Sequence, residues 1–167
     1  MRAREPEFLQ LRAAVPADEP FLREMLYLAL YVPPGQPPLH RSVLDEPAIA
    51  RYVEGWGSQS GDRGLVATWN GVAIGAAWLR RFPAASPGYG FVDESIPELS
   101  IAVLPEHQGR GIGSRLMTEL LRDQSAVSLS CDPANPAWRL YLRFGFRPLA
   151  DGRTMLRASV PSSVDGA

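Results

Sequence analysis

Gly109, Gly111 and Gly113 stand between an apolar run and a helical pattern in the stretch IAVLPEHQGRGIGSRLMTELL, residues 101–121. A strand that passes through glycines into a helix leaves the first-turn N–H groups unpaired and aims the positive end of the helix dipole forward. That arrangement binds anions, phosphate groups above all. Glycine removes the Cβ atoms that would hold a phosphate off the main chain and permits positive φ, while Arg110 and Arg115 place positive charge nearby. Other reactive side chains are sparse. His40, His107 and Cys131 match no metal-ligand spacing, so no metal is expected. Nothing beside Cys131 in the sequence activates it, and it reads as a small buried hydrophobe.

Three phosphate-binding patterns compete for this loop. A P-loop needs a lysine followed by Ser or Thr, and the chain has no lysine: all 17 basic residues are arginine. A dinucleotide fingerprint needs Gly-x-Gly-x-x-Gly, but its sixth position is Ser114. Only 54 residues follow Gly113 (167 − 113), too few for the usual doubly wound sheet. The third pattern fits better. VLPEHQGRGIG, residues 103–113, closely resembles the acetyl-CoA pyrophosphate loop of the GNAT N-acetyltransferase superfamily, Val-x-Pro-x-x-Gln/Arg-Gly-x-Gly-x-Gly/Ala. A second segment, NPAWRLYLRFGFRPL at residues 135–149, resembles the later motif of that family, Asn-x-x-x-x-Leu-Tyr-x-x-x-Gly-Phe. Upstream of about residue 95 the likeness is one of pattern alone.

The resemblance implies an α/β (α+β) fold, with a mixed, mostly antiparallel central sheet flanked by helices and with splayed central strands. It implies acetyl-CoA as acyl donor and an amine as acceptor, joined by direct attack without an acyl-enzyme. Backbone groups of Ile101, Ala102 and Val103 would pair with pantetheine. Gln108, Gly109, Arg110, Gly111, Ile112, Gly113 and Ser114 would hold the pyrophosphate. Tyr141 matches the position whose hydroxyl protonates the departing thiolate; the plainer alternative is core packing, since it shares an apolar stripe with Ala137, Leu140 and Phe144. Asn135 either caps its helix or contacts the CoA arm.

An alkyl amine is mostly protonated at neutral pH, its pKa lying near ~10, so a base must take its proton. Glu98 is the candidate. It begins the strand before the loop and by alternation shares a face with Ser100 and Ala102, opposite Leu99, Ile101 and Val103. A solvated strand-end glutamate is the plainer alternative. Asp93 and Glu94, just upstream, read as solvated loop acids or as attractors of a cationic substrate. His40 reads as a loop residue, and Trp56, Trp69, Trp78 and Trp138 as core or interface. Two rival functions stay open: a fold-retaining acyl-CoA sensor without chemistry, and a nucleotide-binding oxidoreductase.

The elements that position these groups follow from periodicity. FLQLRAAV at residues 8–15 reads as a strand, and FLREMLYLALYV after Asp18 as a helix. A proline-rich loop, VPPGQPPLH, precedes a second helix over residues 45–54. Two β-rich runs meet at Asn70-Gly71, the pair that favours a type I′ hairpin. PAASPGYGFVDESIP is a loop, ELSIAVL a strand, residues 111–123 a helix and AVSLSC a strand. A helix capped by Asn135 with Pro136 at its first position, then a strand at RTMLRAS, complete six strands and four helices. The two loops would shape the acceptor pocket, since loops carry specificity over a fixed scaffold.

Composition sets the outer bounds. At 167 residues the chain suits one domain, placed at residues 1–160 with a flexible tail over 161–167. A net charge of −1 without a basic block argues against nucleic acid. A single cysteine forbids an internal disulfide. The absence of a signal peptide and of an apolar run near ~20 residues points to a cytoplasmic protein with no membrane partner. Arginine in place of lysine, with abundant Ala, Pro and Gly, suits a GC-rich bacterial genome. Dimers are common in the family, so a homodimer is among the partners the resemblance implies.

Overall fold

The Asn70-Gly71 pair forms the turn its chemistry favours. In the computed structural model, which describes residues 8–159, Asn70 has φ 49° and Gly71 φ 82°. Two positive φ values make the type I′ turn whose twist matches a hairpin. It joins β2 (Arg63–Trp69) to β3 (Val72–Arg80), with an irregularity between Ala67 and Thr68. On the outer side β2 pairs with β1 (Leu9–Ala13), and on the inner side β3 pairs with β4 (Glu98–Val103), both antiparallel.

Beyond β4 lie β5 (Ala126–Ser130), β7 (Thr154–Ala158) and β6 (Arg147–Pro148), giving a seven-stranded sheet in the order β1-β2-β3-β4-β5-β7-β6. Only β4 and β5 run parallel, and they share a single bridge, Glu98 opposite Ser128. Past that bridge they separate, as expected for splayed central strands. The sequence reading of six strands omitted β6, a two-residue edge strand. Pro148 argues against a strand in the sequence, and an edge is where a proline's missing N–H is tolerated.

Alternation divides the core between the faces of the sheet. Ala77 and Leu79 of β3 pack with Leu99, Val127, Leu129 and Met155 beneath α3 (Ile112–Leu121), whose Ile112, Leu116, Met117, Leu120 and Leu121 are buried. Ala76 and Trp78 face the other way, onto α1 (Glu19–Ala29) through Leu22, Met25 and Leu26. Asp18 precedes α1 but does not cap it. Its carboxylate takes the Val15 N–H and pairs with Arg12, closing a 3-10 turn.

The expected helix over residues 45–54 shrinks to α2 (Pro47–Ala50), and the chain continues in single turns. Tyr52, Val53 and Trp56 of those turns are buried in the second core. Two side chains, Trp78 and Arg80, fix this irregular segment. Trp78 donates its indole N–H to Tyr52 O at 3.0 Å. Arg80, only 1% exposed, makes a two-pronged pair with Asp62 (both contacts 2.9 Å) and donates to the carbonyls of Arg51 and Glu54. The last helix, α4 (Ala137–Arg143), is capped as expected: Asn135 Oδ1 accepts the Ala137 N–H at 2.9 Å. No helix among the described residues is long and apolar enough to cross a membrane. Residues 161–167 lie outside the described residues.

Candidate functional site

β4 ends in a 3-10 turn (Pro105–His107), after which Gly109 (φ 77°) and Gly111 (φ 76°) swing the chain into α3. Among the described residues, none of the N–H groups from 109 to 114 donates to a protein acceptor. The first protein-bound amide after them is that of Arg115, on Gly111 O at 3.1 Å. Six uncommitted donors at the positive end of a helix have the geometry to cradle an anion. A Cβ at Gly109 or Gly111 would meet nothing within 4 Å, so glycine is needed there for its φ.

Gln108 is spent internally: its N–H bonds Pro105 O and its side-chain amide donates to Val103 O at 3.1 Å. It therefore braces the turn from within. Arg110 lies with its guanidinium 5.4 Å from the centre of the Trp69 ring, held toward the hairpin. The cationic side chain that borders the cleft is Arg143, from the last turn of α4.

From the cradle a cleft of about 570 Å³ runs along the free side of β4 to α4. Leu104 N–H bonds Ile74 O, and Ser128 N–H bonds Pro97 O. Backbone direction alternates along a strand, so even-numbered residues of β4 turn their amides to β3 and odd-numbered ones toward β5. Ile101 and Val103 thus present N–H groups to the gap. Ala102 lines the cleft by position, but its amide and carbonyl belong to the β3 ladder.

A second cleft, of about 250 Å³, lies beyond the gap. Tyr31, Tyr52, Tyr89, Ser100, Ser130 and Asp132 shape it. Four residues line both spaces: Ala29, Ile101, Asn135 and Tyr141. Tyr141 is half-buried, its ring edge-on to Phe146 at 6.0 Å. Burial, with the nearby Cys131, holds its hydroxyl well above tyrosine's usual pKa, so it stays protonated. Burial also pushes the Cys131 thiol up to about 11, the opposite of what a nucleophilic cysteine requires.

Glu98 departs from the solvated alternative, being only 3% exposed. Its Oε1 accepts the Tyr52 hydroxyl at 3.0 Å and the Gly90 N–H at 2.7 Å, while Oε2 has no partner among the described residues. Desolvation raises its carboxyl pKa; the Gly90 and Tyr52 hydrogen bonds and Arg51 oppose that rise. The 88–90 loop seals it in. A Cβ on Gly88 would fall 1.9 Å from Glu98 Oε2, and one on Gly90 2.5 Å from the Leu129 carbonyl carbon. Glu98 lines neither cleft; Tyr52 stands between it and the second one.

Other sequence candidates serve the scaffold. Asp93 takes both the N–H and the hydroxyl of Ser95, and Glu94 takes the Ala84 N–H. His40 Nδ1 caps the 3-10 turn Arg41–Asp45. Among the described residues no group of three or more His, Cys, Asp or Glu is arranged to hold a metal ion.

A profile of the acetyltransferase (GNAT) family matches residues 26–146, from within α1 to the residue before β6. The chain belongs to the GNAT acetyltransferase family.

Solved structures carry the same fold. A putative acetyltransferase from Salmonella typhimurium, solved with its cofactor acetyl-CoA, is 21% identical; 95% of this chain covers 98% of that one, at TM-score 0.61. The PaiA N-acetyltransferase of Thermoplasma acidophilum, solved with coenzyme A, is 16% identical over 91% of this chain and 99% of its own, at TM-score 0.64. The ribosomal-protein-alanine N-acetyltransferase of Brucella melitensis is 23% identical over 90% and 99%, at TM-score 0.57. No curated protein sequence matches the chain.

Within this GNAT chain, Tyr31 and Tyr89 come from the two loops expected to shape the acceptor pocket, whereas Tyr52 and Arg143 went unmarked in the sequence. Tyr52 and Glu98 are 46 positions apart and meet only through the packing of the irregular segment after α2. Arg143 carried a usable signal, since it closes the exposed end of the helix that bears Tyr141.

Replacing Gly111 by alanine tests the cradle. A side chain at positive φ costs roughly 1–2 kcal/mol, and relieving that strain rotates the amides that follow. The expected result is about tenfold weaker binding of coenzyme A by calorimetry, roughly 1.4 kcal/mol. An unchanged affinity would mean these amides are not the anion site.

Proposed function

We propose that the chain transfers an acetyl group from acetyl-CoA to a primary amine, on a small molecule or a peptide, by direct attack. One observation carries this reading. A helix-end cradle of six free N–H groups feeds a cleft that meets a second cleft at a protonated tyrosine.

Every chemical need of thioester aminolysis but the base finds a group. The amides of residues 109–114 would bind the diphosphate, with Arg143 at the rim and Gln108 keeping the turn in shape. Ile101 and Val103 would offer backbone N–H groups to the pantetheine arm and to the thioester oxygen as it gains charge. One such donor is typically worth ~3 kcal/mol. Tyr141 would give its proton to the departing sulfur. Asn135, at the junction of the clefts, orients α4 through its cap and so fixes Tyr141. Acetyl-CoA supplies the activated acyl group; the protein supplies binding, orientation and proton transfer.

A second reading, an acyl-CoA-binding module without catalysis, draws support from Glu98, which lines neither cleft. Calorimetry with coenzyme A and thiol release from acetyl-CoA across a panel of amines separate the two. Binding with thiol release supports the transferase. Binding without release from any amine favours the module, and no binding removes both.

A further inference from the structure

The base is the part of the site that the geometry leaves unassigned. Glu98 has the chemistry but does not line the second cleft, the space left for the acceptor when acetyl-CoA fills the first; Tyr52 lines that second cleft and holds Glu98 by a hydrogen bond. We propose that Tyr52 meets the acceptor amine and relays its proton to Glu98. The inference rests on the acetyl-transfer reading above and adds the residue that touches the amine.

The step balances. As the amine nitrogen bonds to the thioester carbon and the C–S bond breaks, the nitrogen sheds a proton to Tyr52 Oη. Tyr52 passes its own hydroxyl proton to Glu98 Oε1 across the 3.0 Å contact. Glu98 ends neutral, and the sulfur takes its proton from Tyr141. Once the product has left, Glu98 returns its proton to solvent through Tyr52, and solvent restores the one on Tyr141.

Three features suit Tyr52 and Glu98 to this task. The hydroxyl of Tyr52 is already oriented, donating to Glu98 and accepting the Tyr89 N–H at 2.7 Å. The Glu98 carboxylate is under-solvated: both its hydrogen bonds fall on Oε1. Its Oε2 is left without a donor, and so is the hydroxyl of Ser128, its neighbour across the single β4–β5 bridge. A carboxylate with one bare buried oxygen gains from accepting a proton.

The groups that face Glu98 are few. The segment after α2 brings Tyr52 and Arg51, and the 88–90 loop brings the Gly90 N–H. β5 brings Ser128, which is uncharged, and β3 brings Arg80, the cross-strand partner of Glu98, whose guanidinium is paired with Asp62. Arg51 is anchored on Ala48 O and Ser86. It favours the ionised carboxylate, against the desolvation that raises the Glu98 pKa.

The test uses an amine the wild type acetylates and whose nitrogen is neutral across the pH window. Glu98→Gln keeps an Oε1 acceptor for both Tyr52 and Gly90 while removing basicity. Tyr52→Phe keeps the ring packed on Phe82, 4.8 Å between centres. Each change is expected to lower kcat about a hundredfold with KM for acetyl-CoA unchanged. The double variant should be no worse than either single one, since the two act as a unit. Wild-type kcat/KM should fall on the acid side with the ionisation of Glu98, and that limb should vanish in Glu98→Gln.

A Tyr52→Phe enzyme with wild-type kcat and pH profile would overturn the relay. So would a flat wild-type acid limb, which needs no variant to fold. Loss of melting temperature with the pH profile intact would assign both residues to structure alone. Failure of the parent reading shows differently: wild type then releases no thiol with any amine.

Discussion

Phenylalanine at position 141 is expected to lower kcat for acetyl transfer about a hundredfold while leaving coenzyme A binding as it is. General acid catalysis contributes roughly 10²–10⁴ in rate. The lower end is expected because a thiol of ordinary pKa, about 8.5, leaves as thiolate more readily than an alkoxide or amide ion. The ring's edge contact with Phe146 survives the substitution, so the melting temperature should hold. Because burial raises the Tyr141 pKa, its hydroxyl stays protonated through the usual assay range. An alkaline limb below about pH 10 would therefore arise elsewhere. Equal turnover by wild type and variant, measured as thiol release with the best acceptor, would remove Tyr141 from the chemistry.

Asp62→Ala should cause the largest loss of stability, about 3–5 kcal/mol. The Asp62 and Arg80 side chains are 2% and 1% exposed, and removing the acid strands a cation in the core. Such a loss takes a large share of the 5–15 kcal/mol that typically holds a domain together. Urea unfolding measures it, and a loss below about 1 kcal/mol, the size of a surface pair, would contradict the argument. Replacing both partners by apolar residues of similar volume should recover much of the deficit.

Burial by itself raises the Asp62 pKa, but the hydrogen bonds from Arg80, with the Gln59 and Gly57 N–H groups, bring it below the usual carboxylate value. A folded-state pKa below the unfolded one stabilises above the unfolded value, about 3.9, and that contribution fades as pH falls through the folded one. Acid unfolding below about pH 4 should accordingly include this pair. Activity should suffer too, since Arg80 binds the carbonyls that frame Tyr52.

What could be read from the sequence was local. The Asn70-Gly71 turn, the unpaired amides of the glycine turn and the Asn135 hydrogen bond to the start of α4 are each specified within a few residues, and each is present. The splay of β4 from β5 followed from the family resemblance. What escaped was non-local. Glu98 looks like a strand-end acid until Gly88 and Gly90 close over it, and no spacing rule announces that fold-back. Arg80 and Asp62, 18 positions apart, show no periodicity that marks them as a buried pair. α2 fell short of its expected length because Tyr52, Val53 and Trp56 are drawn into the core in single turns.

The two clefts share Ala29, Ile101, Asn135 and Tyr141 and otherwise have different linings. With acetyl-CoA in the first and the acceptor in the second, as proposed, each molecule would have its own doorway, and neither would wait for the other to depart. Initial velocities taken over a grid of both concentrations should give reciprocal lines that intersect, the signature of a ternary complex. Parallel lines would instead mean that the acyl group is parked on the protein between visits.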